Sequence, residues 1–146
     1  MYFRWKKRKL SSKDERRICR RGFSSHTWYA VLVQSERRDG KPRQKIICTL
    51  GHIPGETFGS HVYIRDRGNP YIRLLFWDSV DRKLSALEAE GTLGATDRAK
   101  IEQNLLMCVK RPTEAELRVE DERRTRASEA AHARLLAMIA AHREGL

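Results

Sequence analysis

The chain has 146 residues, 40% hydrophobic and 34% charged, a balance suited to one domain of ordinary size with a modest core. No apolar run approaches the roughly 18 residues that span a bilayer, and the N-terminal cations are not followed by an apolar stretch, so neither a membrane anchor nor a secretory signal is expected. The net charge is +11, and its distribution is uneven: residues 1–21 hold ten Lys/Arg against two Asp/Glu, residues 22–69 seven against four, and residues 70–146 thirteen against thirteen. All the excess lies in the first half, which points that half toward an anionic partner, above all nucleic acid. Cys19, Cys48 and Cys108 are odd in number and widely spaced, which reads as reduced thiols and a cytoplasmic protein, nucleoid-associated if it binds DNA.

In chain order, "MYFRWKKRKL" mixes aromatics with cations and suggests neither a helical nor a strand period. Ser12 and Glu15 fit a capping box for a short basic helix over about 13–20. Residues 1–22 are therefore expected to form a flexible basic arm that orders on a partner. "HTWYAVLVQS" and "RQKIICTL" are β-branched and aromatic, and Asp39-Gly40 lies between them, a signal for a two-residue hairpin turn with positive φ at both positions. That turn makes opposed residue numbers sum to 79. Glu36 then faces Arg43, Val33 faces Ile46, Val31 faces Cys48 and Tyr29 faces Leu50, giving one apolar face; the other carries Trp28, Ala30, Leu32 and Ile47, then Lys45, Arg43 and Gln34. Pro42 faces Arg37, a pair that makes no ladder hydrogen bonds, so its missing N–H is harmless. "HVYIRDR" (61–67) is a candidate third strand.

Asn69-Pro70 predicts a helix start and Gly91 its end, with Ile72, Leu75, Phe76, Val80, Leu84 and Leu87 on the buried side. Thr96 is expected to cap a second helix over 97–110, burying Ile101, Leu105 and Val109. Pro112-Thr113 opens a third over 114–143, charged at its start and apolar at its end. The whole reads as α+β: a basic arm (1–22), an antiparallel hairpin or three-stranded sheet (23–69) and a three-helix part (70–146), the last two forming one compact unit.

Chemistry finds little purchase. The best metal-ligand cluster is Cys48, His52 and His61, with Cys19 and His26 as outside candidates, but no CxxC or HxxxH occurs, and no metal or cofactor is expected. No GxSxG or phosphate-cradling glycine loop is present, and Cys108 lies in an apolar helix. Binding is better supported. Arg37, Arg38, Lys41, Arg43 and Lys45 gather at the hairpin tip, and a two-stranded ribbon fits a DNA major groove by width; Arg43 or Gln44 could reach base edges. Arg4, Lys6, Lys7, Arg8 and Lys9 could follow a phosphate backbone, with Phe3 and Trp5 stacking on unpaired bases. The structural reading of the same cations is a charged edge that blocks strand-to-strand aggregation.

The segment "WYAVLVQSERRDGKPRQKIICTLGHI", Trp28 to Ile53, resembles the stretch near the amino end of many insertion-sequence transposases, where a strand leads through "GKprq" to a strand ending in "LG.i". In that family a ribonuclease-H-like catalytic domain with three acidic residues follows. Here helices follow instead, so the resemblance implies a bacterial or mobile-element DNA-binding context without transposition chemistry. The leading expectation is a non-enzymatic nucleic-acid-binding protein, with DNA favoured over RNA and duplex over single strand. The alternatives are an assembly subunit that binds an acidic protein or a ribonucleoprotein, and a small metal-dependent nuclease. The apolar end of the third helix has a second copy of the chain as a candidate partner.

Overall fold

A computed structural model describes residues 1–9, 26–54 and 69–145. The elements follow the order β1 (Tyr2–Lys9), β2 (His26–Arg38), β3 (Lys41–Pro54), α1 (Pro70–Ala89), α2 (Ala95–Cys108) and α3 (Glu114–Glu144). A three-stranded antiparallel sheet of order β1-β2-β3 precedes three helices, the expected α+β arrangement. Residues Met1–Arg111 make one compact unit and Pro112–Leu146 a second. The helical part therefore divides at Pro112, whose ring cannot continue a helix and biases the residue before it toward extended backbone. The predicted helix over 13–20 and the predicted strand at 61–67 lie outside the described residues.

The third strand of the sheet is the segment expected to be a flexible arm. Tyr2 to Lys9 pair with Val33 to His26 along the whole of β1. The alternation needed for this is present in the sequence: Phe3 and Trp5 fall on one face and Tyr2, Arg4 and Lys6 on the other. On the inner face Trp5 stands beside Ala30, whose partner on the far side is Gly51. These two small residues leave room for Phe76 of α1, which stacks on Trp5 with ring centroids 5.9 Å apart and 25° between planes. Phe3 meets Trp5 edge-on, and Phe76 meets Trp77 edge-on, so an aromatic chain runs from β1 into α1.

The hairpin register obeys the sum of 79 only from the turn to Val33, which faces Ile46; Glu36 faces Arg43 and Arg37 faces Pro42. Two irregularities in β3 then shift it, so that Leu32 faces Cys48, Val31 faces Thr49 and Tyr29 faces His52. The expected Val31–Cys48 and Tyr29–Leu50 pairs do not form. Each shift adds one residue to β3, Ile47 and then Leu50, and a bulge turns the following side chain to the opposite face. Leu50 and Ile53, three residues apart, are thereby both fully buried with Ala30 and Leu32 against α1. Strict alternation would have separated them. The core face is the one that begins with Trp28, Ala30 and Leu32, while Val31 and Val33 are buried on the other side of the sheet. α1 also closes hydrogen bonds on the bulged strand: Ser79 Oγ donates to Leu50 O at 2.7 Å, and Lys83 Nζ donates to Thr49 O.

Asn69 caps α1 through its side chain, which accepts from Tyr71 N at 2.9 Å, with Pro70 at the first helical position. Leu75 is 69% exposed, contrary to its place in the predicted stripe; Arg73 and Trp77 are buried instead. The stripe Arg73, Trp77, Asp81, at helical spacing, fastens three successive residues beyond α2. Arg73 donates to Lys110 O at 3.2 Å, and Trp77 Nε1 donates to Val109 O at 3.1 Å. Arg111 lies 3.9 Å over the Trp77 ring and donates twice to the Asp81 carboxylate, each at 2.8 Å. The second helix begins at Gly94, without a side-chain cap, rather than at Thr96. α3 carries the expected capping box between Thr113 and Glu116.

Two outcomes follow from this packing. A Cβ at Gly51 would lie 2.8 Å from Phe76 Cδ2 and 3.3 Å from the Phe76 carbonyl oxygen. Gly51→Ala should therefore lower unfolding stability by about 1–3 kcal/mol in a urea titration. The Arg111 hydrogen bonds hold the Asp81 carboxyl below its usual range. A lowered carboxyl contributes stability that is present above the unfolded value near 4 and lost as pH falls through the lower folded value. Asp81→Asn should melt below the parent protein at pH 7, and the gap in Tm should close below about pH 4.

Candidate nucleic-acid interface

β2 and β3 continue beyond the end of β1. The last rung shared by all three strands is Tyr2–Val33–Ile46. Past it, five pairs from Gln34–Lys45 to Arg38–Lys41 form a two-stranded ribbon, about 16 Å long at the usual rise. Every residue from Gln34 to Lys45 is exposed. Asp39 and Gly40 close it with φ of 53° and 72°, the doubly positive turn that matches the twist of the strands. Nothing apolar fills the ribbon, so its stability comes from the turn, the ladder and cross-strand pairs such as Glu36–Arg43.

The ribbon carries Arg37, Arg38, Lys41, Arg43 and Lys45 against Glu36 and Asp39. The pairing divides these cations by face. Arg38, Lys41, Arg43 and Lys45 share one face with Glu36 and Gln34; Arg37 shares the other with Ser35, Pro42 and Gln44. Arg43 and Gln44 therefore cannot address one groove floor together. Gln44 is engaged elsewhere: its Oε1 accepts from Arg4 Nη1 at 2.9 Å, a bond that crosses β2 diagonally at the level of Val33.

The cations expected on a flexible arm are instead spaced along an edge strand. Arg4 and Lys6 are exposed on the face away from α1. Lys7 is on the α1 face, with its Nζ 5.6 Å from the Trp28 ring centroid, so its charge also serves packing. Arg8 and Lys9 extend β1, and their side chains are outside the described set. The β1 cations lie beside residues 26–31 of β2 and the tip cations lie at 37–45, so the structure strings the two groups along the hairpin rather than gathering them in one patch. Phe3 and Trp5, expected to stack on bases, are instead packed on the core beside Phe76.

Cys48 and His52 do not converge. Cys48 pairs with Leu32 on the core face, and His52 pairs with Tyr29 on the opposite face. Burial pushes the Cys48 thiol up, partly offset by Lys83, which disfavours the thiolate a nucleophile or ligand would need. His61 and Cys19 lie outside the described residues, and among the described residues no group of three His, Cys, Asp or Glu could hold a metal ion. Among those residues, too, no helix is long and apolar enough to cross a membrane.

One constellation has no counterpart in the sequence patterns. Lys6, Tyr29 and His52 form a single rung across the three strands. The Tyr29 and His52 rings are 5.7 Å apart and tilted by 35°. The alternation in β1 could have revealed Lys6; no local signal places His52 beside Tyr29, because the bulges do that. No protein-family model matches the chain, and neither the curated proteins nor the solved structures contain a match to it.

Proposed function

We propose that this is a non-enzymatic nucleic-acid-binding protein that places its basic ribbon against duplex DNA. The supporting observation is the ribbon itself: five cations and two acids on a two-stranded extension exposed along its whole length. A hydrophobic core does not require such an extension, and a ribbon of this width enters a major groove. Arg38, Lys41 and Lys45 neutralise phosphates, and Arg43, on their face, reaches a base edge. The resemblance of Trp28 to Ile53 to the transposase hairpin segment supports a bacterial mobile-element setting for this binding.

A second reading has its own observation. Leu135, Leu136, Met138 and Ile139 of α3 are 43–70% exposed, and between Ala127 and His142 only Glu129 and Arg134 carry formal charge. Ion pairs from Glu120 to Arg123 and Arg124 support the other half of the helix. An apolar half this bare gains most by burial. In this reading the chain is an assembly subunit whose α3 is covered by a second copy.

The first reading predicts steeply salt-dependent duplex binding. The triple change Arg37→Ala, Arg38→Ala and Lys41→Ala should weaken it at least tenfold near 0.1 M salt, and should flatten the plot of log affinity against log salt by about 0.9 for each phosphate no longer neutralised. Unchanged affinity would remove the ribbon from the interface. The second predicts that the whole chain sediments as a dimer or larger, and that Leu135→Asp with Ile139→Asp sediments as a monomer. A monomeric parent protein would exclude the second copy.

A further inference from the structure

The side of the sheet turned away from α1 has a composition of its own. Three successive same-face rungs cross it: Tyr2–Val33–Ile46, Arg4–Val31–Thr49 and Lys6–Tyr29–His52. These nine positions hold two cations, two phenol rings, an imidazole and no acid. Val31 and Val33 are buried, while Tyr2, Arg4, Lys6, Ile46 and His52 are exposed and Tyr29 is half-buried. α1 packs on the opposite side, over Gly51, so the Tyr29–His52 pair contributes nothing to the α1 core. An exposed imidazole beside a half-buried phenol ring, cations in the same and the next rung, and the absence of carboxylates suit a single-stranded nucleic acid, which calls for rings beside unpaired bases and positive charge along the backbone. An acidic peptide would use the cations but leave the adjacent rings without a role.

We propose that this face binds single-stranded nucleic acid, with an unpaired base stacked on the Tyr29–His52 pair and phosphates held by Lys6 and Arg4. The proposal rests on the nucleic-acid reading above and narrows it, assigning unpaired strand to the sheet face and duplex to the ribbon. Tyr2, four residues further along the sheet and so roughly 13 Å away, offers a second ring to the same strand.

The test is fluorescence anisotropy of the full chain with a labelled oligothymidylate of about 20 nucleotides, the matching oligouridylate and a duplex of the same length. His52 is exposed, so its replacement spares the core. His52→Ala should weaken binding to the single strands at least fivefold, as expected for removing one stacking ring, and leave duplex affinity unchanged. His52→Phe, which keeps a flat ring, should restore single-strand binding. Lys6→Ala should reduce the single-strand salt slope by about 0.7. Comparison of the two single strands tells DNA from RNA. Single-strand affinity indifferent to His52→Ala, or reduced equally for duplex, would overturn the sheet-face proposal while leaving the ribbon to its own variants. Absence of binding to all three probes would overturn both.

Discussion

The two extra residues in β3 are the constraint on which the rest of the sheet depends. A regular hairpin closed by Asp39-Gly40 would alternate faces strictly, and Leu50 and Ile53 would point to opposite sides. With Ile47 and Leu50 inserted, both reach the helix-covered face together with Gly51, the residue over which Phe76 sits. Bulging leaves strand carbonyls without ladder partners, and such groups are costly if buried unsatisfied. Ser79 and Lys83 of α1 supply donors to Leu50 and Thr49. Packing of α1 and bulging of β3 therefore stabilise one another.

The same insertions shape the opposite face. They replace Leu50 by His52 as the neighbour of Tyr29, and so exchange an aliphatic side chain for an exposed imidazole on a surface already holding Lys6 and Arg4. One structural device builds the core on one side and a polar aromatic surface on the other. Beyond Val33 the regular register returns, β1 ends, and the hairpin runs on with neither a third strand nor a buried side chain. A ribbon of that kind costs conformational entropy without repaying it in burial, so folding alone does not account for its concentration of cations, which is why an anionic partner is proposed for it. Edge protection against aggregation accounts for some charge, but not for four cations on one face of the ribbon.

α1 serves the remainder of the first unit in a comparable way. Its Arg73–Trp77–Asp81 stripe is polar at both ends and aromatic in the middle, and it binds the backbone of Val109 and Lys110 and the side chain of Arg111. A buried guanidinium and an indole N–H are tolerable there because each donates to a main-chain carbonyl. Leu75 is exposed because, at 100° per residue, it lies about 160° around α1 from both Arg73 and Trp77, on the side turned away from that contact.

The α+β order and the excess of charge in the first half are legible along the chain, and so are several local features: the turn at Asp39-Gly40 and its register as far as Val33, the caps at Asn69 and Thr113, and the break at Pro112. Each depends on residues within a few positions of one another, where backbone preference and side-chain reach suffice. Tertiary structure alone decided that Tyr2–Lys9 is a strand, that β3 bulges twice, that Phe3 and Trp5 enter the core and that His52 joins Tyr29 and Lys6 across the sheet. In "YFRWKK" an alternation of two apolar residues with two cations is too short to outweigh the charge around it until β2 offers its unpaired edge. A bulge has no composition of its own; it forms because α1, distant in sequence, rewards burial of Leu50 and Ile53 on the same side.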